Sequence, residues 1–342
     1  MEVSLFGPGY GECAVVHAGG GDWIVLDSFR TQRGRPVALQ YLDELGLDPA
    51  RSVRLIVATH WHDDHMRGLG ELVSRCPDAY FCCASALGSR EFMSVAAALA
   101  KTGLPDQGIR EIHAVMTHLD DTDAQPVWAT ASRRIHRLSS CEVWSLSPHD
   151  EAYTSFLKSL APRPGIEPGH GMHSLTPNQL SVALLVRFGT GVSCLFGADL
   201  ERRGWTAVLG DATRPQCTSS VFKVPHHGSA NAHLEGVWEE LLEPEPIAIL
   251  APWHRGGGAL PKKGDVTRIL KRAPDAYATT SATPGAVPRD RWVKKRLRNV
   301  GARITAESGP HGMIRLRRSM AAEGVWRVDL SGSACHLKDF AV

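Results

Sequence analysis

The most constraining stretch of this 342-residue chain is Thr59-His60-Trp61-His62-Asp63-Asp64-His65, which follows directly on the apolar run Val53, Leu55, Ile56 and Val57. A short apolar run bounded by polar residues reads as a buried strand. The histidines and carboxylates therefore begin where a strand ends, on a rigid base. In an extended segment alternate side chains share a face, so His60 and His62 can point the same way. Asp64 and His65 then turn towards a second position. Imidazole combined with carboxylate suits zinc. Two metals about 3.5 to 4 Å apart can share a hydroxide and polarise a phosphoryl or carbonyl oxygen. The cluster predicts a chain folded around a two-metal hydrolytic centre.

The surrounding pattern is α/β. Val3–Phe6, Cys13–His17 and Trp23–Asp27 read as short strands separated by glycine turns, and Pro36–Leu47 as a helix ending at Gly46. Residues 86–160 read as a mainly helical insertion, with an amphipathic run at Arg90–Leu104 and another helical run at Ala129–Leu138. Pro162–Pro177 is a loop by composition. Strands follow at Leu180–Phe188, Val192–Phe196, Ser220–Val224 and Ile247–Leu250, and the alternation in Met313–Leu316 and Val325–Leu330 completes a sheet. The whole, 1–342, is read as one domain.

Apolar content of 43% and charged content of 22% are those of a soluble globular protein, and the longest apolar stretches are strand-sized. No membrane span and no secretory signal are expected, which makes the cytoplasm the expected location. The eight cysteines, at positions 13, 76, 82, 83, 141, 194, 217 and 335, contain no CxxC pair, and adjacent Cys82 and Cys83 would face opposite sides of a strand. Net charge is +2, yet residues 255–327 hold 17 Lys/Arg against 5 Asp/Glu, or +12, leaving −10 elsewhere. Such a segment attracts phosphates or forms a solvated helix face. Lys262, Lys263, Arg291, Lys294, Lys295, Arg296 and Arg298, with Trp292 among them, could track a phosphate backbone.

The His-x-His-x-Asp-His pattern, with further motifs in order between Phe6 and about Leu250, resembles the metallo-β-lactamase superfamily. The resemblance implies a four-layer αββα sandwich with two zinc ions between the sheet edges, manganese being an alternative where the ligands are oxygen-rich. It places the family's early strand-ending aspartate at Asp27 and its metal-bridging aspartate at Asp199, within Phe196-Gly197-Ala198-Asp199-Leu200. Lys223-Val224-Pro225-His226-His227-Gly228-Ser229 is similar to the His-His-Gly-Ser segment of DNA-uptake competence proteins. There His226, first after the strand, is expected to join Asp64, His65 and Asp199 at the second metal, with His227 left to donate a proton or contact phosphate. The family's third histidine of the first site has no clear equivalent. Pro177-Asn178-Gln179-Leu180-Ser181 stands in its place, and His149, His170 and His173 are candidates to supply the missing imidazole.

Asp64, His227 and His254 are thus the candidate catalytic residues, and His60, His62, Asp64, His65, Asp199, His226 and His149 the candidate ligands. Asn178, Ser229 and Arg255 are candidates to bind substrate. The expected activity is that of a phosphodiesterase or nuclease in which metal-bound hydroxide attacks phosphorus, with nucleic acid or another phosphodiester as partner. Hydrolysis of a small molecule (cyclic nucleotide, phosphoester, lactone or thioester) on the same centre is the first alternative. A non-catalytic metal-binding subunit of a larger assembly is the second.

Overall fold

Among the described residues, strand pairing forms two eight-stranded sheets. The computed structural model describes residues 1–102, 107–160, 177–254, 258–281, 311–321 and 324–340. His170, His173, Arg255, Arg291, Trp292, Lys294, Lys295, Arg296 and Arg298 lie outside the described residues.

The first sheet contains β1 (Glu2–Gly7), β2 (Cys13–Gly19), β3 (Asp22–Leu26), β4 (Val53–Ala58), β5 (Tyr80–Ala84), β6 (Val127–Ala129), β14 (Gly312–Arg317) and β15 (Arg327–Ser331). Its order is β15-β14-β1-β2-β3-β4-β5-β6. The second contains β7 (Arg133–Arg137), β8 (Cys141–Ser145), β9 (Leu184–Phe188), β10 (Ser193–Phe196), β11 (Ser219–Lys223), β12 (Leu242–Leu250), β13 (Ala276–Ala278) and β16 (Cys335–His336), in the order β16-β13-β12-β11-β10-β9-β8-β7. The helices are α1 (Val37–Glu44), α2 (Pro49–Ser52), α3 (Asp63–Met66), α4 (Leu69–Arg75), α5 (Arg90–Thr102), α6 (Gln107–Asp121), α7 (Asp150–Leu160), α8 (Arg202–Gly210), α9 (Glu235–Glu240) and α10 (Lys263–Arg272).

The layering follows from which face each strand residue buries. On β9, Leu184, Val186 and Phe188 pack into the core shared with the first sheet, while Leu185 between them joins the core formed with the outer helices. Val221 and Phe222 on β11 divide in the same way, as do Ile249 and Ala248 on β12. Strands with both faces covered read as continuous apolar runs. On the far side of the second sheet, Trp205 and Val208 of α8, Val237 and Trp238 of α9 and Ile269 of α10 close that outer core. Residues of α1, α4 and α6 cover the first sheet. The result is the expected αββα sandwich. Each fully buried Leu, Val or Phe contributes about 1.5–3 kcal/mol.

Residues 86–160 differ from the expected helical insertion. They contain α5, α6 and α7, but β6 extends the first sheet and β7 and β8 open the second, so the chain crosses between sheets here. The Ala129–Leu138 run is the end of β6, a turn and then strand β7. Its alanines favour helix, but pairing with β5 and β8 prevails, and a register shift between Arg134 and His136 blurs the period-two pattern.

Two parallel sets, β3 to β6 and β10 to β13, carry the centre of each sheet. Parallel strands deliver their loops to one end, which is where α/β folds place their sites. Asp27 follows β3, the histidine cluster β4, Asp199 β10, His226 and His227 β11, and His254 β12. Among the described residues no helix is long and apolar enough to cross a membrane. All eight cysteines are free, and Cys82 and Cys83 are buried on β5.

Candidate metal centre

Asp27 organises the loop beyond β4. It sits at φ 61°, a left-handed conformation uncommon for aspartate, and its carboxylate accepts hydrogen bonds from the Thr59 backbone N–H (2.7 Å), the Thr59 hydroxyl (2.8 Å) and His65 Nδ1 (2.7 Å). Thr59 Oγ1 is in turn 3.0 Å from His60 Nδ1. With their Nδ1 atoms engaged, His60 and His65 present Nε2 to the cleft. His227 is held in the same way from the second sheet, because its Nδ1 is 2.8 Å from the Ala251 carbonyl and only an N–H can serve that acceptor.

Two groups of donor atoms converge. His60 Nε2 lies 3.1 Å from His62 Nδ1 and 3.8 Å from Asp199 Oδ2. His65 Nε2 lies 3.5 Å from Asp64 Oδ2 and 3.6 Å from Asp199 Oδ1, while His227 Nε2 lies 3.2 Å from Asp64 Oδ2 and 3.8 Å from Asp199 Oδ2. Asp199 stands between the groups and reaches both.

The donor set fits a divalent cation. His65 Nε2 and Asp199 Oδ1 are buried without a hydrogen-bond partner, an arrangement that costs free energy unless a cation completes it. Ligands about 2.0–2.1 Å from a tetrahedral zinc stand about 3.3 Å apart, near the separations found here. Burial pushes the His60 imidazole well below its ordinary range, reinforced by His65 and His62, and so keeps it in the neutral, metal-binding form. Burial would do the same to His65, but Asp64, Asp199, Glu12 and Asp27 outweigh it and hold that ring well above its usual value. The Asp64 carboxyl, which burial alone would raise, is instead held low by His65 and His227. This negative field attracts a cation.

The two histidines after β11 exchange their expected places. His227, buried, faces Asp64 and Asp199, with its ring centroid 6.0 Å from that of His65. His226 turns the other way, with Nε2 4.0 Å from Asp199 Oδ2 and 3.4 Å from Asn178 Nδ2, and Nδ1 3.7 Å from Glu201. Burial lowers the pKa of the His60 and His62 rings, and His226 adds to that lowering. The reason for the exchange is local: Pro225 ends the strand, and both histidines adopt positive φ, 48° and 52°, so position along the strand no longer predicts facing.

The structure does not bring His149 into this cluster. It stands just before α7, with Nε2 3.6 Å from Asp211 Oδ2. His254 is half-buried, its backbone N–H donates to the Gly9 carbonyl, and its ring stacks on Phe340. Burial lowers its pKa, against a raising backbone contact from Ser281. Trp253 stacks on His227 at 5.8 Å and 28°. Asn178 is buried, with Nδ2 near Glu201 at 3.3 Å and Oδ1 unpartnered. Ser229 is half-buried, just beyond the histidine turn.

Two residues escaped sequence reasoning. Glu12 is buried, with its carboxylate 3.7 Å from both His65 Nδ1 and His227 Nδ1, and it pairs with the buried ammonium of Lys223. A bare loop was the available signal: Gly7, Gly9 and Gly11 flank Glu12, and a Cβ on Gly11 would lie 2.8 Å from Phe29 Cβ.

Residues 6–129 match the family model described as the metallo-beta-lactamase superfamily. Over these residues the chain is similar to the metallo-β-lactamase superfamily. The matched segment carries Asp27, His60, His62, Asp64 and His65 and ends before Asp199, His226 and His227. Among solved structures of metallo-β-lactamase type, the fold protein YhfI from Bacillus subtilis is 10% identical, covering 80% of this chain and 94% of its own, with a TM-score of 0.40. Zn2+-bound PqqB from Methylobacterium extorquens is 10% identical over 73% and 72%, with a TM-score of 0.36. A HARLDQ-motif protein from Cronobacter sakazakii is 15% identical over 63% and 62%, with a TM-score of 0.34. The chain thus spans 62% of the Cronobacter protein's length. No curated protein matches it.

Proposed function

We propose that this protein is a metal-dependent hydrolase acting on phosphodiesters, nucleic acid foremost. The observation that carries the reading is the convergence of His65 Nε2 and Asp199 Oδ1, buried and unpartnered, with Asp64 and His227 on one side and His60 and His62 on the other. His60, His62 and Asp199 would hold a first ion, with His226 beside them, and Asp64, His65, Asp199 and His227 a second. Imidazoles favour zinc, and the two carboxylates of the second set also admit manganese.

When bound, such ions supply Lewis acidity toward a phosphoryl oxygen and a nucleophile active near neutral pH. The chain's own groups orient and enclose. Asp27, through Thr59 and His65, keeps two imidazoles in register. Trp253 covers one face of His227 and screens it from water. Asn178 Oδ1 and His226 Nδ1 are buried beside the centre without a hydrogen-bond partner. The choice of phosphodiester rests on the +12 balance of residues 255–327 and on the likeness of the His226–Ser229 segment to that of competence proteins.

The test is hydrolysis of a bis-aryl phosphodiester and of single- and double-stranded DNA and RNA by the full chain loaded with zinc or manganese. Cleavage that is lost in Asp199→Ala is expected. If all these substrates stay intact the reading is abandoned, and cleavage of cyclic nucleotides alone would move it to a small-molecule hydrolase.

A further inference from the structure

Glu12 and Lys223 form, among the described residues, the one lysine- or arginine-carboxylate pair with both side chains buried, at 4% and 3% exposure. Burying two charges carries a desolvation penalty that an apolar pair of similar volume would avoid, so packing alone is a poor reason for it.

Its placement supplies a better one. Glu12 precedes β2 in the first sheet, and its backbone N–H donates to the Asp64 carbonyl at 3.0 Å. Lys223 ends β11 in the second sheet, and its Nζ donates to the Ala198 carbonyl at 3.0 Å, next to Asp199. The same Ala198 carbonyl accepts from the His226 N–H at 2.9 Å, and Gly197 N–H donates to the Lys223 carbonyl at 3.0 Å. Ala198 itself is at φ 45°, a turn held open by these bonds. Each partner is therefore tied by its own element to a turn that carries a ligand, and the ion pair joins the two turns across the sandwich.

The pair has a second consequence. Glu12, His65, Asp199 and His227 offer one donor atom each within 4.8 Å of one another, so Glu12 stands close enough to compete for a cation. One of its oxygens is engaged by Lys223, and the other, Oε2, has no hydrogen-bond partner and faces His227 Nδ1 at 3.7 Å.

We propose that Glu12 and Lys223 are positioning residues for the second metal site. The pair sets the spacing between its two halves, and the Lys223 ammonium keeps the Glu12 carboxylate out of the donor set. The inference rests on the metal reading above.

The experiment is Co2+ titration of the full chain, following the d–d bands and chelator competition, for the parent, Lys223→Met and the double variant Glu12→Gln/Lys223→Met. Apo-protein melting is recorded alongside. Removing both charges spares the double variant an unpaired buried ion, so it remains informative if the single variant fails to fold. In the double variant one bound Co2+ is expected to weaken by about 10–100-fold with altered bands, as when groups that orient ligands are lost. Lys223→Met frees Glu12, and its Co2+ bands should weaken towards those of a higher coordination number. A double variant with the parent's affinity and spectrum overturns the inference alone, whatever its melting temperature. A parent that takes up no Co2+ overturns the metal reading, and the inference with it.

Discussion

At the scale of single residues, the proposed ligands nearest the strand end follow most directly from the sequence. His60, His62, Asp64, His65 and Asp199 converge in the fold, because a strand end fixes where each side chain starts. His226 and His227 were legible as a pair but not in their roles. Two consecutive left-handed residues decide which way each ring turns, and neighbouring types give no sign of that. The assignment predicts different losses for the two. Asp64→Ala and His227→Ala should abolish the second site, while His226→Ala should leave it intact and weaken the first, as elemental analysis after dialysis against a weak chelator would read. Loss of the same ion in the His226 and His227 variants would contradict it.

His233 shows a second residue-scale effect, outside the metal ligands. Its pKa is depressed to about 4, first by burial and then by Arg268, Arg202 and Arg272, and its Nδ1 accepts the Trp238 indole N–H at 3.2 Å. The unfolded chain takes up this proton near the ordinary histidine value of about 6.5, whereas the folded one resists until about 4. Its contribution to stability is therefore fully present above about 6.5, declines as pH falls towards 4, and levels off below. Urea titrations between pH 4 and 7 should show a flatter profile for His233→Gln than for the parent. Parallel profiles would exclude His233 as a source of the slope.

At the scale of elements, α6 ties a helix from the 86–160 stretch to the histidine loop after β4. Gly108 N–H donates to Asp63 Oδ1 at 2.9 Å, and Glu111 accepts the N–H groups of Gly68 and Gly70 at 2.8 and 2.9 Å at the start of α4. A Cβ on Gly108 would lie 1.8 Å from the Trp61 carbonyl oxygen, between His60 and His62. Gly108→Ala should cost at least about 1–3 kcal/mol, as overpacking does, and should also reduce bound metal, because the displaced backbone carries both histidines. Unchanged metal content in a folded Gly108→Ala protein would show the loop to be independent of α6. The helix itself was not read from sequence at these bounds. Nor was the β6–β8 crossing, whose alanines argue locally for helix against a pairing made far along the chain.

At the scale of the molecule, period-two alternation and continuous apolar runs made the strands and their covered faces legible, whereas the αββα layering followed from the family resemblance. What the periodicity omits is how the sheets meet, and the proposed ligands span that junction: Asp64 and His65 follow β4 of the first sheet, Asp199 and His227 follow β10 and β11 of the second. A cation bound there can lie against both only in the folded state. Free metal at 100 times its dissociation constant should therefore add about 2.7 kcal/mol of stability, raising Tm. Asp199→Asn should remove most of that rise, and an equal rise in the variant would place the stabilising ion elsewhere.

The pairing of β1 with β14, Glu2 opposite Arg317 through to Gly7 opposite Gly312, bears on how the protein is made. During synthesis the second strand of that ladder emerges some three hundred residues after the first, so β1 must wait on the ribosome with one side open. An unpaired flat edge is a template for other chains. Fragments that end before residue 312 should consequently gather into aggregates, even though they already hold every proposed ligand.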